Sequence, residues 1–213
     1  MNLLKYLTLN EEDKNIGINV LNTGHNVIDP SAEYPYPAHP SAYKFQWERG
    51  RILNEFQINY IIDGEGEFES KNAGYHTISS GNIILLFPSE WHRYRPNKQT
   101  GWNEYWIGYE GIFMYELMKK GWLSLKNPVM NVGHSEELLS LYQKLIFCAK
   151  EEQPGSQMVM AGLLIQILGL SHQLVKIKAL NGKPDLDQLI KKAKLMLMEN
   201  HREPLSPEDV AQK

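Results

Sequence analysis

The sequence predicts an α+β fold, with an antiparallel β-barrel or sandwich first and a helical segment after it. Three observations carry this. From Tyr43 to Tyr109, short β-branched or aromatic runs (YKFQW, FQINYII, EFES, YHTI, NIILLF, WNEYWIGY) are separated by ERG, DGEG, KNAG, SSG and NKQTG, the rhythm of antiparallel strands. After Gly133 the apolar period lengthens to that of a helix. With 42% hydrophobic residues among 213, the chain has enough apolar side chains for a sizeable core.

Taken in order, residues 25–42 hold four of the eleven prolines and read as an extended, irregular arm leading into the sheet. EFES alternates and predicts one wet face, whereas NIILLF is apolar on both parities and predicts cover on both sides. Ser135 is placed to cap a helix with Glu136 and Glu137 in its first turn, and Leu138, Leu141, Tyr142, Leu145 and Cys148 then recur at helical spacing. Cys148 is the only cysteine, which excludes an intrachain disulfide, and its apolar setting predicts a buried, inert thiol. Ser156 can cap a second helix, MVMAGLLIQILGLSHQLVKI, apolar around most of its circumference. Such a helix needs more burial than one barrel face supplies, so it predicts a homodimer. ALNGKP, 179–184, reads as a linker, and a third helix is predicted from Leu186 to about Glu199.

A net charge of −3 supplies no basic field, so nucleic-acid contact would need a local patch or residues outside this chain. The N-terminal MNLLKYLTLNEEDKN has too short an apolar run for a signal peptide, and no later stretch reads as a membrane span. A cytoplasmic location without membrane contact is the expectation.

The candidate chemistry lies in GNIILLFPSEWHRYRP, Gly81 to Pro96, where an apolar strand runs into a proline and then Trp91, His92, Arg93, Tyr94 and Arg95. Barrel-wall metal sites use closely spaced histidines with a carboxylate. The nearest two of the seven histidines here, His25 and His39, are fourteen residues apart. Where an upstream histidine pair would fall, the chain has Arg49, Arg51 and Glu55, and two guanidiniums favour an anionic or hydroxyl-rich ligand. Ser89 and His92 make only a local coincidence, without an orienting carboxylate. No catalytic residue, metal or cofactor is therefore expected. Within WNEYWIGY, Trp102, Glu104 and Trp106 share one strand face, two indoles flanking a carboxylate, a combination suited to sugars. The plainer readings are a backbone-bonded histidine for His92, core aromatics for Trp91 and Trp102, and a surface ion pair for Glu104. Arg93 and Arg95 are expected to face solvent or to pair with Glu104 or Glu110.

The order HPSAYKFQWERGRILNEFQINYIIDGEGEFES, GNIILLFPSEWHRYRP, GWNEYWIGYEG resembles the cupin-type effector domain of AraC/XylS-family bacterial transcription regulators. DQLIKKAKLMLMENHREPLSPEDVAQK is similar to the opening of that family's C-terminal helix-turn-helix domain, and Ser206, Pro207 and Asp209 suit the start of a capped helix. The resemblance implies a cupin-like, jelly-roll barrel with its arm over 1–133 and a helical dimerisation segment over 134–180. A linker over 181–184 and the start of the DNA-binding domain over 185–213 would follow. The recognition helix would then lie beyond Lys213, which makes this chain, by expectation, part of a longer regulator. The effector, a sugar by the same resemblance, would bind in the barrel near Arg49, Tyr94, Glu104 and Trp106, with His92 at the lip. Glu104 stands where sugar-responsive members carry a histidine, and the FPSEWHRY turn is one residue shorter than their common form. The competing reading is a stand-alone cupin-type enzyme or sensor acting on a small carbohydrate, without a DNA role. The C-terminal helical segment speaks against it.

Overall fold

The computed structural model describes residues 2–35, 39–40 and 43–180. The linker expected at 181–184 and the DNA-binding start expected at 185–213 lie outside the described residues. Two compact units divide the chain at His172/Gln173, and the barrel and the site lie in the first.

Nine strands form the barrel: β1 (Leu3–Tyr6), β2 (Asn19–Ile28), β3 (Arg51–Ile52), β4 (Phe56–Ser70), β5 (Gly74–Ser79), β6 (Asn82–Leu86), β7 (Trp91–Pro96), β8 (Trp102–Glu110) and β9 (Val129–Asn131). One layer runs β1-β2-β8-β4-β6-β9; β3, β7 and β5 join through the far half of β4. All of these pairings are antiparallel. Three expectations change here. Residues 25–28, expected in the arm, end β2 and pair with β8. YKFQW is not a strand, and Trp47 to Arg49 form a turn. DGEG is no loop either, since β4 runs through it and bends from one layer to the other, with a register shift between Ile61 and Asp63. Gly64, at φ 85° with the Gly101 carbonyl against it, makes that corner possible, because the left-handed region is open to glycine.

Four helices complete the described chain: α1 (Glu11–Lys14), α2 (Ile112–Lys119), α3 (Glu136–Glu151) and α4 (Ser156–Leu180). The Ser135 hydroxyl accepts from the Leu138 backbone N–H, the cap the sequence indicates. Both long helices pack on the outer face of the β2-β8-β4 layer. Tyr142 of α3 lies against the rings of Tyr60 and Tyr105, and Gln157 of α4 both donates to and accepts from the Val20 backbone. By length and composition α4, with a mean hydropathy of 1.7, would pass for a membrane span, contrary to the sequence reading. Its buried face, Met160, Ala161, Leu163, Leu164, Ile167 and Leu168, belongs to the protein core.

Strand alternation then divides the β4 side chains. Ile58 and Tyr60 face the helices, while Gln57, Asn59 and Ile61 face the barrel interior. One end of that interior is apolar: Ile28, Leu53, Ile61, Phe68, Ile78, Ile84, Leu86, Tyr94 and Trp102 pack together. NIILLF is covered on both faces, every residue of β6 being buried.

Candidate functional site

The other end of the interior is polar. A small enclosed cavity of about 20 Å3, lined by Tyr34, His39, Arg51, Asn59, Tyr94 and Glu104 together with Pro35, Tyr43, Gln57 and Trp106, has room for about one water. Tyr34, Pro35 and His39 of the arm are among its lining.

Arg51 organises one wall. Its Nη2 donates to the Tyr94 hydroxyl at 2.6 Å, its Nη1 to the Tyr43 carbonyl at 2.6 Å and its Nε to His92 Nε2 at 3.1 Å. The guanidinium also lies over the rings of Phe45 and Tyr94, 4.9 and 5.2 Å from their centroids. Because a guanidinium cannot accept, His92 Nε2 is the acceptor, and Nδ1 carries the hydrogen it donates to the Glu90 carbonyl. Burial first, and Arg51 second, hold the His92 pKa down to about 3, so this ring is neutral and serves to orient Arg51. Arg49, by contrast, is exposed on the Trp47–Arg49 turn, where its carbonyl accepts from the Trp91 indole. Arg51, two residues on, is the arginine that lines the cavity.

Tyr94, Glu104 and Trp106 all line the cavity; His92 stands behind Arg51. Trp106 is only 5% exposed. Its indole donates to Asn22 Oδ1 at 3.2 Å and packs on Gly24 so closely that a methyl group there would overlap the ring. Behind it, Glu55 accepts from Asn22, Gln57 and Tyr43 at 2.8 to 2.9 Å, which satisfies this buried carboxylate. Gly108 leaves the space that this network fills.

Glu104 is less well served. It is 4% exposed, and its donors are distant: Asn26 Nδ2 at 3.5 Å and the Tyr34 hydroxyl at 3.3 Å. Burial raises its pKa to about 7. Arg93 and Arg95 pair with Glu69 and Glu67 on the outer face, not with Glu104 or Glu110, and both guanidiniums stack on Trp47, 4.4 and 3.9 Å from its ring. Two open clefts of about 570 and 740 Å3 flank Arg95–Lys98. Their charges at Arg95 and Glu67 are already paired, whereas Asn59, with an unpaired buried amide oxygen, and Glu104 line the barrel cavity. Among the described residues no cluster of histidine, cysteine and carboxylate side chains could hold a metal ion.

The FPSEWHRY turn is itself built in. Ser89 adopts φ 63° and its N–H donates to the Leu53 carbonyl. The buried Glu90 carboxylate accepts from the Asn72 backbone and side chain, both at 2.7 Å, which ties this turn to the β4–β5 turn. Sequence reasoning missed Tyr34, Tyr43, Asn26 and Asn59. A signal existed for Asn59, since FQINYII alternates polar and apolar residues and so predicts a polar inner face.

A β-barrel with a polar pocket at one end and helices behind one layer is a cupin-like fold. The sequence matches the AraC-like ligand binding domain over residues 31–168, more than half of the chain, and the chain belongs to that family. A comparison with curated proteins finds no match. Among solved structures the chain is similar in part to the protein YhaK from Escherichia coli, with 16% identity, 52% of this chain and 45% of that chain covered, and a TM-score of 0.38. It is also similar to a cupin protein from Bacteroides fragilis (12% identity, 43% and 64% covered, TM-score 0.31). A third is an RmlC-like cupin with a double-stranded β-helix fold from Methanocaldococcus jannaschii (15%, 55% and 86%, 0.33). The chain spans less than two thirds of the length of the first two.

Proposed function

We propose that this chain is the effector-sensing and dimerisation part of a cytoplasmic transcription regulator, with a small sugar bound inside the barrel and no catalytic activity of its own. The observation that carries this reading is the enclosed polar end of a barrel of the AraC-like ligand-binding family, where Arg51, Tyr94, Asn59 and Glu104 present donors and acceptors beside the Trp106 indole. Mixed donors and acceptors next to a flat ring suit hydroxyl groups on a C–H surface. The one histidine of the FPSEWHRY cluster is engaged at both ring nitrogens, which favours scaffolding over proton transfer. A ligand larger than water enters only if the arm around Tyr34 moves. DNA would be contacted by a helix-turn-helix segment following the described residues.

Dimerisation has its own support. Phe147 of α3 and Met158, Val159 and Ile165 of α4 are 45 to 62% exposed, an apolar face on the side of the helices away from the barrel. A symmetric second copy is the commonest way to cover such a face. Thermal-shift screening of neutral, acidic and amino sugars tests the effector reading, because a ligand that binds only the native state raises the melting temperature. Sedimentation of the native chain and of Ile165→Glu, with and without a hit, tests the dimer. A panel without any shift, or a monomer under every condition, would count against the respective reading.

A further inference from the structure

The cavity holds a buried acceptor without a donor beside a carboxylate without an ion pair, and this deepens the effector reading on which it rests. Asn26 Oδ1 and Asn59 Oδ1 are buried and accept no hydrogen bond; their residues are 0% and 2% exposed. Asn26 faces Glu104 directly across the β2–β8 ladder. Asn59 lines the cavity with Glu104 from β4, opposite Trp106 in the β4–β8 pairing. Turning the amides over does not relieve them. A flipped Asn26 would set its oxygen against the Glu104 carboxylate, and Asn59 would lose the N–H that favours the Tyr94 oxygen. Among the described residues Glu104 has no ion-pair partner. The Trp102 indole N–H lies on the same side and acts on Glu104 as a weak donor that favours its ionised form, although the two do not reach hydrogen-bond geometry.

The Glu104 carboxylate and the unpaired Asn59 amide oxygen therefore line one cavity, with the Asn26 amide beside Glu104, and together they call for a donor group. A hydroxyl brings a single hydrogen and leaves acceptors empty, whereas an ammonium brings three and accepts nothing. The charge count agrees. Facing the interior are Arg51, Glu55 and Glu104; Glu55 is saturated by neutral donors, so the ionised set has one negative charge in excess. At the opposite wall Arg51 uses three N–H groups on protein partners out of the five a guanidinium owns. Its remaining donors suit the oxygens of a sugar ring.

We propose that the effector is an amino sugar, its ammonium seated on Glu104 and Asn59 and its ring hydroxyls turned toward Arg51. Binding would replace the long Tyr34–Glu104 hydrogen bond with a charge-assisted one. The high resting pKa of Glu104 belongs to a carboxylate that lacks its counter-charge.

Calorimetry on the full 213-residue chain at pH 7 would compare glucosamine, galactosamine and mannosamine, each with its parent hexose and its N-acetyl derivative. The expected result is that at least one free amine binds ten-fold or more tightly than both of its neutral counterparts. Glu104→Gln should then weaken that amine at least ten-fold, and Asn59→Leu should weaken it in the same direction. A neutral hexose that binds as tightly as its amine would overturn the ammonium site and leave the sugar-effector reading standing. Amine binding unchanged in a folded Glu104→Gln protein would also overturn it, by placing the amine elsewhere. Silence across all nine sugars would overturn the amino-sugar proposal, while the effector reading would stand or fall on the wider thermal-shift panel. The wild-type comparison stands by itself should either variant fail to fold.

Discussion

Replacing Glu104 by glutamine should change how the stability of the protein depends on pH, and the size of the change follows from where the carboxylate sits. Burial raises the Glu104 pKa from 4.5 to about 7, so the folded state holds this proton more tightly than the unfolded chain does. The stability tied to that proton is complete below pH 4.5 and is lost as pH rises through 7. Each pH unit of the interval is worth about 1.4 kcal/mol, giving a loss of roughly 3 kcal/mol for the wild type between pH 4.5 and 8. Glutamine cannot ionise and should escape the loss. His39 and His92, held by burial to about 4 and about 3, act in the opposite sense, with stability present above 6.5 and lost as pH falls. They are common to both proteins and cancel in the difference. The groups facing Glu104 are Asn26 from β2, Tyr34 from the arm, Arg51 from β3, Tyr94 from β7 and Trp102 from β8, and of these only Arg51 is charged over that range. Urea unfolding at pH 5, 6, 7 and 8, with midpoints and slopes for both proteins, measures the difference directly. A difference flat to within about 0.5 kcal/mol, or a wild type that gains on Glu104→Gln as pH rises, would refute the account of a desolvated, unpaired carboxylate.

Other outcomes follow from the same geometry. Arg51→Ala should weaken any barrel ligand by ten-fold or more, because Tyr94 and His92 lose the guanidinium that fixes them, while Arg49→Ala should leave affinity within about two-fold; calorimetry on a screened ligand separates them. Trp106→Ala should lower unfolding stability by about 3–5 kcal/mol, since its ring is buried between strands; a variant as stable as wild type would show a side chain standing free in the pocket. Gly24→Ala should cost about 1–3 kcal/mol through overlap with the Trp106 indole, read as a lowered denaturation midpoint at unchanged slope. Glu90→Ala should destabilise by about 1–3 kcal/mol by leaving Asn72 without its acceptors, and wild-type-like hydrogen exchange at Asn72 would contradict that.

Strand content, the change to helices after Gly133 and the Ser135 cap were legible because they rest on local patterns: side-chain period, turn residues and a capping hydroxyl. Period two also placed Trp102, Glu104 and Trp106 on one face of β8. Local pattern failed where pairing decides. Nothing within Asn19–Ile28 says that it lies against β8, and DGEG looks like a turn until one sees that β4 continues through it to reach β7 and β5. The same limit separates Arg49 from Arg51. Both are arginines just ahead of FQINYII, and only the folded chain shows that Arg49 lies on a turn while Arg51 opens β3 opposite His92.

The sequence by itself determined the class of fold and the kinds of side chain available to a pocket, because alternation and helical period follow from backbone geometry whatever the partners. Which of those side chains meet was decided by the tertiary structure alone. Asn26, Asn59 and Glu104 stand on three strands far apart in the chain, and only the strand pairing sets Asn26 opposite Glu104 and brings Asn59 and Glu104 to one cavity. Their unmet demand for hydrogen is a property of that convergence, since any one of them on an open strand would be satisfied by water.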